Sequence, residues 1–134
     1  MPVVFSLLGQ TLALIEKECL PERLELLEVV FKIKLLSYTG LKPKADACAK
    51  CSSPIEDICF FDLESGGVLC SKCLSGRERP LTRLDAEERL FIDLIDRFRL
   101  TQWSEFRFPS RKARMITQLI TRFASFHTHL GLPG

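Results

Sequence analysis

The sequence predicts a mainly α-helical fold, a helical bundle with an inserted four-cysteine zinc-ribbon hairpin. Apolar residues recur at spacings of three and four over most of the chain, and this periodicity stops between residues 42 and 74, where two Cys-x-x-Cys pairs occur. With 134 residues, 46% hydrophobic and 27% charged, the chain can bury a core, which excludes a wholly disordered or collagen-like protein.

Two helices are predicted before the cysteines. The first has one apolar face, which we expect to be buried, formed by Val4, Leu8, Leu12, Ile15 and Cys19. The second begins at Pro21 and should be largely buried, because its apolar stripe is wide and includes Leu24, Leu26, Leu27, Val30, Phe31, Ile33, Leu35 and Tyr38. Gly40 suits a left-handed C-terminal cap and Pro43 prevents continuation, so this helix should end near Thr39.

The cysteine-containing stretch 42–74 is predicted to form a hairpin. Residues 58–61 and 68–69 are the candidate strands, and Glu64-Ser65-Gly66-Gly67 is the turn. Residues 75–84 are polar, carry Gly76 and Pro80, and are predicted to be a linker. The domain prediction is therefore one domain over 1–134, with a zinc-ribbon insertion at 42–74, a linker at 75–84 and C-terminal helices at 85–134.

Helical signals return after the linker. Asp85 and Glu88 have the spacing of a capping box, and Pro109-Ser110 opens a last helix. The predicted buried side of that helix consists of Met115, Ile116, Leu119, Ile120, Phe123 and Phe126. Trp103 and the phenylalanines beside it lie in a connector, where we interpret them as core residues rather than as a base-stacking platform.

Four cysteines are predicted to hold one structural zinc ion. The pairs Cys48/Cys51 and Cys70/Cys73 are separated by eighteen residues, a spacing typical of tetrathiolate zinc sites. Four thiolates leave no open position for a catalytic water, and Lys50 and Lys72 lie where they can offset the net charge of −2. Cys19 and Cys59 are interpreted as buried packing residues, and His127 and His129 are weak candidates for a second metal site.

Other chemistry for the cysteines stays open at this point. Six cysteines also permit a disulfide framework, and Cys-x-x-Cys pairs also occur in thiol-disulfide enzymes. The stretch 2–15 has the character of neither a membrane span nor an export signal, and the pairs flank a hairpin instead of opening a helix, so we favour thiolate ligands in a cytoplasmic protein. Neither a catalytic triad order, nor a phosphate-binding glycine loop, nor a suggestive carboxylate pair occurs, so no enzyme activity is predicted.

Charge is divided unevenly along the chain. Residues 1–76 have a formal charge of −2, whereas residues 77–134 have +4, with ten arginines among their eleven basic residues. The helix N-terminus at Ser110 favours phosphate, so the main candidate DNA contacts are Arg111, Lys112 and Arg114, and Arg107 and Arg122 are candidates to extend that patch. A basic cluster on an amphipathic helix is also the ordinary composition of a solvent-exposed face that binds nothing, and this alternative applies equally to Arg77, Arg79 and Arg83.

The chain resembles the C-terminal part of the bacterial recombination-repair protein RecO. The resemblance is carried by Gly66-Gly67-Val68-Leu69-Cys70 and by Phe31, Leu35, Leu36, Gly40, Pro43, Cys48, Cys51 and Cys73, with Phe126 and His129-Leu130-Gly131 resembling the tail. Two positions depart from the family pattern: Leu41 stands where an aromatic residue is usual, and Ser52 where glycine is usual.

The resemblance implies a non-enzymatic mediator of DNA repair and homologous recombination. Members of the family bind single- and double-stranded DNA, contact single-strand-binding protein and RecR, and would be cytoplasmic and associated with the nucleoid. They also begin with an OB-type barrel that this sequence does not contain, so we expect DNA binding to be weakened or lost. The alternative is a zinc-ribbon interaction scaffold that has no DNA binding of its own.

Overall fold

The computed structural model describes residues 2–74 and 81–129, and the side chains of 3–74 and 81–127. The helices are α1 (Pro2–Lys17), α2 (Pro21–Tyr38), α3 (Ala86–Leu94) and α4 (Ser110–His129), and the strands are β1 (Cys59–Asp62), β2 (Gly67–Leu69) and β3 (Thr82–Leu84). Short 3₁₀ turns occupy 71–73, 95–97 and 100–105. The predicted mainly helical fold with a small β module is confirmed.

Some predicted features lie outside the described residues. They are the first part of the linker with Arg77 and Arg79, the side chain of His129, and the tail residues Leu130-Gly131. The described residues fall into two compact units. The first unit comprises residues 2–42 and 95–120, and the second comprises 43–74, 81–94 and 121–129.

The second helix forms the centre of the first unit. As predicted, α2 begins at Pro21 and is largely buried, with Leu27, Val30 and Ile33 each at most 1% exposed. It ends at Tyr38, and Gly40 has the positive φ of +78° that its place after the helix requires. Ala113, Ile116, Leu119 and Ile120 of α4 are buried as well.

The prediction of which face of α1 is buried is wrong. Leu8, Leu12 and Ile15 are between 42% and 50% exposed and Cys19 is exposed, whereas Leu7 and Thr11 are buried. Because apolar residues occur on all sides of this helix, either of two faces can pack, and the one that contains Thr11 does so. The Thr11 hydroxyl donates to the Leu7 carbonyl at 2.7 Å, which removes the cost of burying it.

The second unit contains a three-stranded antiparallel sheet in the order β2-β1-β3. The predicted hairpin is confirmed, with Phe61 opposite Val68 and the turn closed at Gly66, whose φ is +78°. Phe61 is 2% exposed and meets Phe123 of α4 edge to ring, with centroids 5.9 Å apart. Phe126, predicted to be buried on α4, is 40% exposed.

A third strand occupies the end of the predicted linker. Thr82–Leu84 pairs with β1, and Cys59 lies opposite Leu84, which is fully buried. The strand leads into α3 through the predicted capping box. The Asp85 N–H donates to Glu88 Oε1 and the Glu88 N–H donates to Asp85 Oδ1, both at 2.8 Å.

Candidate metal centre

The segment that carries the first cysteine pair lies alongside β2. The Val68 N–H donates to the Lys44 carbonyl at 2.9 Å, and the Lys44 N–H donates to the Gly66 carbonyl at 3.0 Å. A side chain at Gly67 would bring its Cβ within 2.2 Å of the Lys44 carbonyl oxygen. The glycine therefore permits the close approach that brings the two Cys-x-x-Cys pairs together.

The sulfur atoms of Cys48, Cys51, Cys70 and Cys73 all lie within 4.8 Å of one another. Cys51 Sγ is 3.7 Å from Cys70 Sγ, which is 3.6 Å from Cys73 Sγ. A tetrahedral ion with Zn–S bonds of about 2.3 Å separates its sulfurs by about 3.8 Å. The donor set and its spacing therefore fit a zinc ion.

Hydrogen-bond donors surround the first pair of sulfurs. Burial raises the pKa of Cys48, but the backbone N–H groups of Cys51, Cys70 and Lys50 outweigh it and lower that pKa to about 6. The Cys70 N–H lies 3.4 Å from Cys48 Sγ. The Ser53 hydroxyl, 3.2 Å from Cys51 Sγ, lowers the pKa of Cys51. These donors stabilise thiolate, the form that binds a metal ion.

The second pair shows the opposite effect at one sulfur. The hydrogen bond with Cys70, together with burial, raises the pKa of Cys73 to about 12. Four sulfurs this close cannot all ionise without a cation between them, because each thiolate opposes the formation of the next. A divalent cation removes that repulsion, so metal binding and thiol deprotonation are linked. With four sulfur ligands the site would be closed to water and structural.

The two other cysteines have different surroundings. Cys19, predicted to be buried, is exposed in the connector between α1 and α2, because α1 ends at Lys17 and does not carry it onto a helix face. Cys59 is buried in β1 as predicted, and burial raises its pKa to about 11. His127 Nε2 lies 2.8 Å from the Leu63 carbonyl oxygen and its ring contacts Phe123, so this histidine has a packing role.

The predicted DNA contacts lie mostly on the surface. Arg107, Arg111, Arg114 and Arg122 are exposed and Lys112 is half-buried. Arg107 donates to the carbonyls of Ser104 and Phe106 at 2.8 Å each, and Arg114 pairs with Glu25 at 3.4 Å. Arg122 belongs to the second unit, whereas the other four belong to the first. Trp103, 4% exposed, is a core residue as interpreted.

Sequence reasoning overlooked two clusters in the first unit. Arg23 lies 4.2 Å from the centre of the Trp103 ring, donates to the carbonyls of Trp103 and Phe106, and pairs with Glu18 at 3.2 Å. Lys34, only 4% exposed, donates to the carbonyls of Asp96 and Phe98. The sequence feature that indicates the burial of Lys34 is its position one turn after Val30, on the apolar stripe of α2.

Comparison with known proteins decides the family. The sequence profile described as "Recombination protein O C terminal" matches residues 1–133. The chain belongs to the RecO C-terminal family. The family resemblance seen in the sequence is thus confirmed.

Similar RecO proteins extend well beyond this chain. It is 37% identical over 70 residues to the DNA repair protein RecO of Alkaliphilus metalliredigens, an alignment that covers 52% of this chain and 28% of the relative. The Caldicellulosiruptor saccharolyticus protein of the same name is 27% identical, with 70% and 37% covered, and that of Desulfitobacterium hafniense is 28% identical, with 78% and 41% covered. The chain therefore spans between 28% and 41% of these RecO relatives.

No solved structure gives a significant match to this RecO C-terminal chain. Within the described residues, none of its helices combines the length and the apolar composition needed to cross a membrane.

Proposed function

We propose that this chain is a zinc-stabilised DNA-repair module that acts in homologous recombination without enzyme activity. It binds DNA by electrostatic contacts and contacts single-strand-binding protein and RecR. The observation that carries the proposal is the RecO C-terminal match over residues 1–133. The relatives are named DNA repair proteins, which supports the same role for the chain.

The zinc ion would have a structural role. Residues 43–58 form no helix and no regular strand, so they offer little regular backbone hydrogen bonding of their own. Capture of zinc by such small modules contributes about 10 kcal/mol or more of apparent free energy, comparable with the stability of a whole domain. Elemental analysis should find one zinc ion per chain. Cysteines that react freely before chelation would contradict this part of the proposal.

The basic residues at the start of α4 are the proposed phosphate contacts. The first turn of a helix presents free N–H groups and the positive end of the helix dipole; Arg111 is exposed in that turn of α4, and Arg114 is exposed one turn after Arg111. The Arg114 pair with Glu25 joins two exposed side chains, so it is weak enough to be exchanged for a phosphate.

A salt titration with single-stranded DNA tests these contacts. The double variant Arg111→Glu/Arg114→Glu should bind more weakly, and the negative slope of log K against log salt should become shallower by about 1.4 if two phosphate contacts are lost. The matched control, Lys17→Glu/Arg83→Glu, makes the same change of net charge with exposed residues elsewhere. Equal affinities and equal slopes for both variants would remove the α4 residues from the DNA site.

A protein-interaction scaffold without DNA binding is the second candidate. It is favoured by the exposed apolar side of α1, where Phe5 is 72% exposed and Leu12 is 50% exposed. Contiguous exposed apolar residues are typical of protein contact surfaces. Binding of single-strand-binding protein by a chain that shows no DNA affinity at any salt concentration would support the scaffold and contradict the DNA-binding proposal.

A further inference from the structure

A cavity of about 630 Å³ lies within the first unit, among α1, the last turn of α2 and residues 96–101. This volume is in the range of small-ligand sites, which are about 300–1,000 Å³. Val3, Leu7 and Leu100 give it an apolar wall, and Tyr38, 37% exposed, is a further lining residue. The cavity can thus accept a flat apolar group.

Lys34, which is only 4% exposed, is one of the residues that line the cavity. Its Nζ donates to the backbone carbonyls of Asp96, at 3.0 Å, and of Phe98. The Asp96 carboxylate points to other partners, Lys42 Nζ at 3.0 Å and the Ser37 hydroxyl at 2.9 Å. Burial lowers the pKa of Lys34, and the charge of Asp96 acts against this. The Lys34 ammonium group therefore donates its hydrogen bonds to neutral carbonyl oxygens, an arrangement unusual for a buried ammonium group.

Two exposed arginines, Arg97 and Arg99, complete the charged lining. The charged residues around the cavity are these two, Lys34 and Asp96, which leaves a formal excess of two positive charges. The α1 wall adds none, because residues 2–15 contain no charged side chain. Next to an apolar wall, such an excess attracts an anion more strongly than it would in open solvent.

We propose that this cavity binds one nucleotide of single-stranded DNA, with its phosphate at Lys34, Arg97 and Arg99 and its base against Tyr38 and the apolar wall. The inference rests on the proposed DNA-repair role and adds a site to it. Guanidinium groups hold phosphate through paired hydrogen bonds, and aromatic rings stack on any base. A phosphodiester and a carboxylate each carry one negative charge, so what favours a nucleotide is Tyr38 and the apolar wall, which can hold a base.

Titration of the whole chain with deoxyadenosine monophosphate, followed by NMR, tests the ligand class. Amide and side-chain signals of residues 34–38 and 96–101 should shift, with an affinity about ten-fold higher than for deoxyadenosine, which lacks the phosphate. Inorganic phosphate alone should also bind more weakly, since it lacks the base. Tighter binding of hexanoate than of the nucleotide would overturn the proposal in favour of a carboxylate site. Absence of shifts at these residues would overturn it outright.

Substitutions then test which charged side chains hold the phosphate. Arg97→Gln/Arg99→Gln should lower nucleotide affinity about ten-fold and leave the melting temperature nearly unchanged, because both side chains are exposed. Lys17→Gln/Arg83→Gln is the control of equal charge and should bind like the unaltered chain. Lys34→Met should also lose affinity; if it fails to fold, the arginine variant decides. Equal nucleotide affinity in the arginine variant and the control contradicts the assignment.

Oligonucleotide binding separates this site from the α4 contacts. If the Arg97/Arg99 variant binds single-stranded DNA normally while the Arg111/Arg114 variant does not, the cavity proposal fails and the proposed function stands. If neither substitution affects oligonucleotide binding, both fail.

Discussion

Replacing Gly67 with alanine should weaken zinc binding although the residue carries no ligand. The new Cβ would lie 2.2 Å from the Lys44 carbonyl oxygen and 2.9 Å from the Lys44 Cβ, whereas ordinary contacts begin near 3.4 Å. Relief requires the 44–49 segment to move by about 1 Å, which breaks the Val68–Lys44 and Lys44–Gly66 hydrogen bonds. Two lost hydrogen bonds and the overpacking strain together cost about 3 kcal/mol.

The cost should appear in the metal affinity. Ala49 donates its N–H to the Val68 carbonyl at 2.7 Å, so the segment that moves is the one that holds Cys48 beside β2. Because folding of the ribbon and metal capture are linked, about 3 kcal/mol corresponds to about a 100-fold loss of zinc affinity. Competition with a chromophoric chelator measures this directly, and chemical denaturation of the zinc-loaded chain measures the stability.

Two other glycines provide controls for the same substitution. A Cβ at Gly40 or Gly9 meets nothing within 4 Å. Gly40→Ala should cost about 1 to 2 kcal/mol because its φ is +78°, and Gly9→Ala, within α1, should stabilise by up to about 1 kcal/mol. Neither should alter zinc affinity. Unchanged zinc affinity in the Gly67→Ala protein would refute the close-approach argument.

Three further predictions concern stability. Ser52 has a φ of +64°, so Ser52→Gly should stabilise the ribbon by about 0.5 to 1 kcal/mol in thermal denaturation. Ser71→Gly, at an exposed serine without a positive φ, should give no such gain. Equal effects of the two substitutions would argue against strain at Ser52. Arg23→Ala should lower the unfolding free energy in urea by about 2 to 4 kcal/mol. Arg23→Lys should restore little of it, because one ammonium group cannot contact the two carbonyls, Glu18 and the Trp103 ring together. Full restoration by lysine would show that charge alone matters. Burial raises the pKa of Asp96, but Lys42 and Ser37 lower it below its ordinary value. The contribution of Asp96 to stability is therefore complete above about pH 4 and is lost as the pH falls through the lowered folded pKa. Asp96→Asn should flatten the acid side of the plot of unfolding free energy against pH, and an unaltered plot would contradict this.

Local signals predicted much of this fold correctly. The α2 stripe, the glycine after it and the Asp85/Glu88 capping box each depend on residues within one or two turns of one another, and the structure confirms them. The clustering of four cysteines was also predictable, because the spacing of the two pairs and the intervening hairpin restrict where the sulfurs can lie.

The failures arose where distant partners decide the outcome. In α1, apolar residues surround the helix, so which face packs depends on α2 and not on periodicity. The strand β3 has only three residues and exists through pairing with β1, more than twenty positions earlier in the chain. Lys34 reads as a surface charge by residue type, and only its two carbonyl acceptors explain its burial.

The pairing of β3 with β1 also limits how the ribbon can be isolated. A peptide cut from Pro43 to Leu74 would contain all four cysteines but would expose one side of β1, leaving the backbone groups opposite Thr82–Leu84 without their strand partner. A bare edge rich in phenylalanine invites pairing between copies and precipitation. An excised fragment intended for metal titration or for grafting should therefore extend at least through Leu94, so that it includes β3 and the helix that follows.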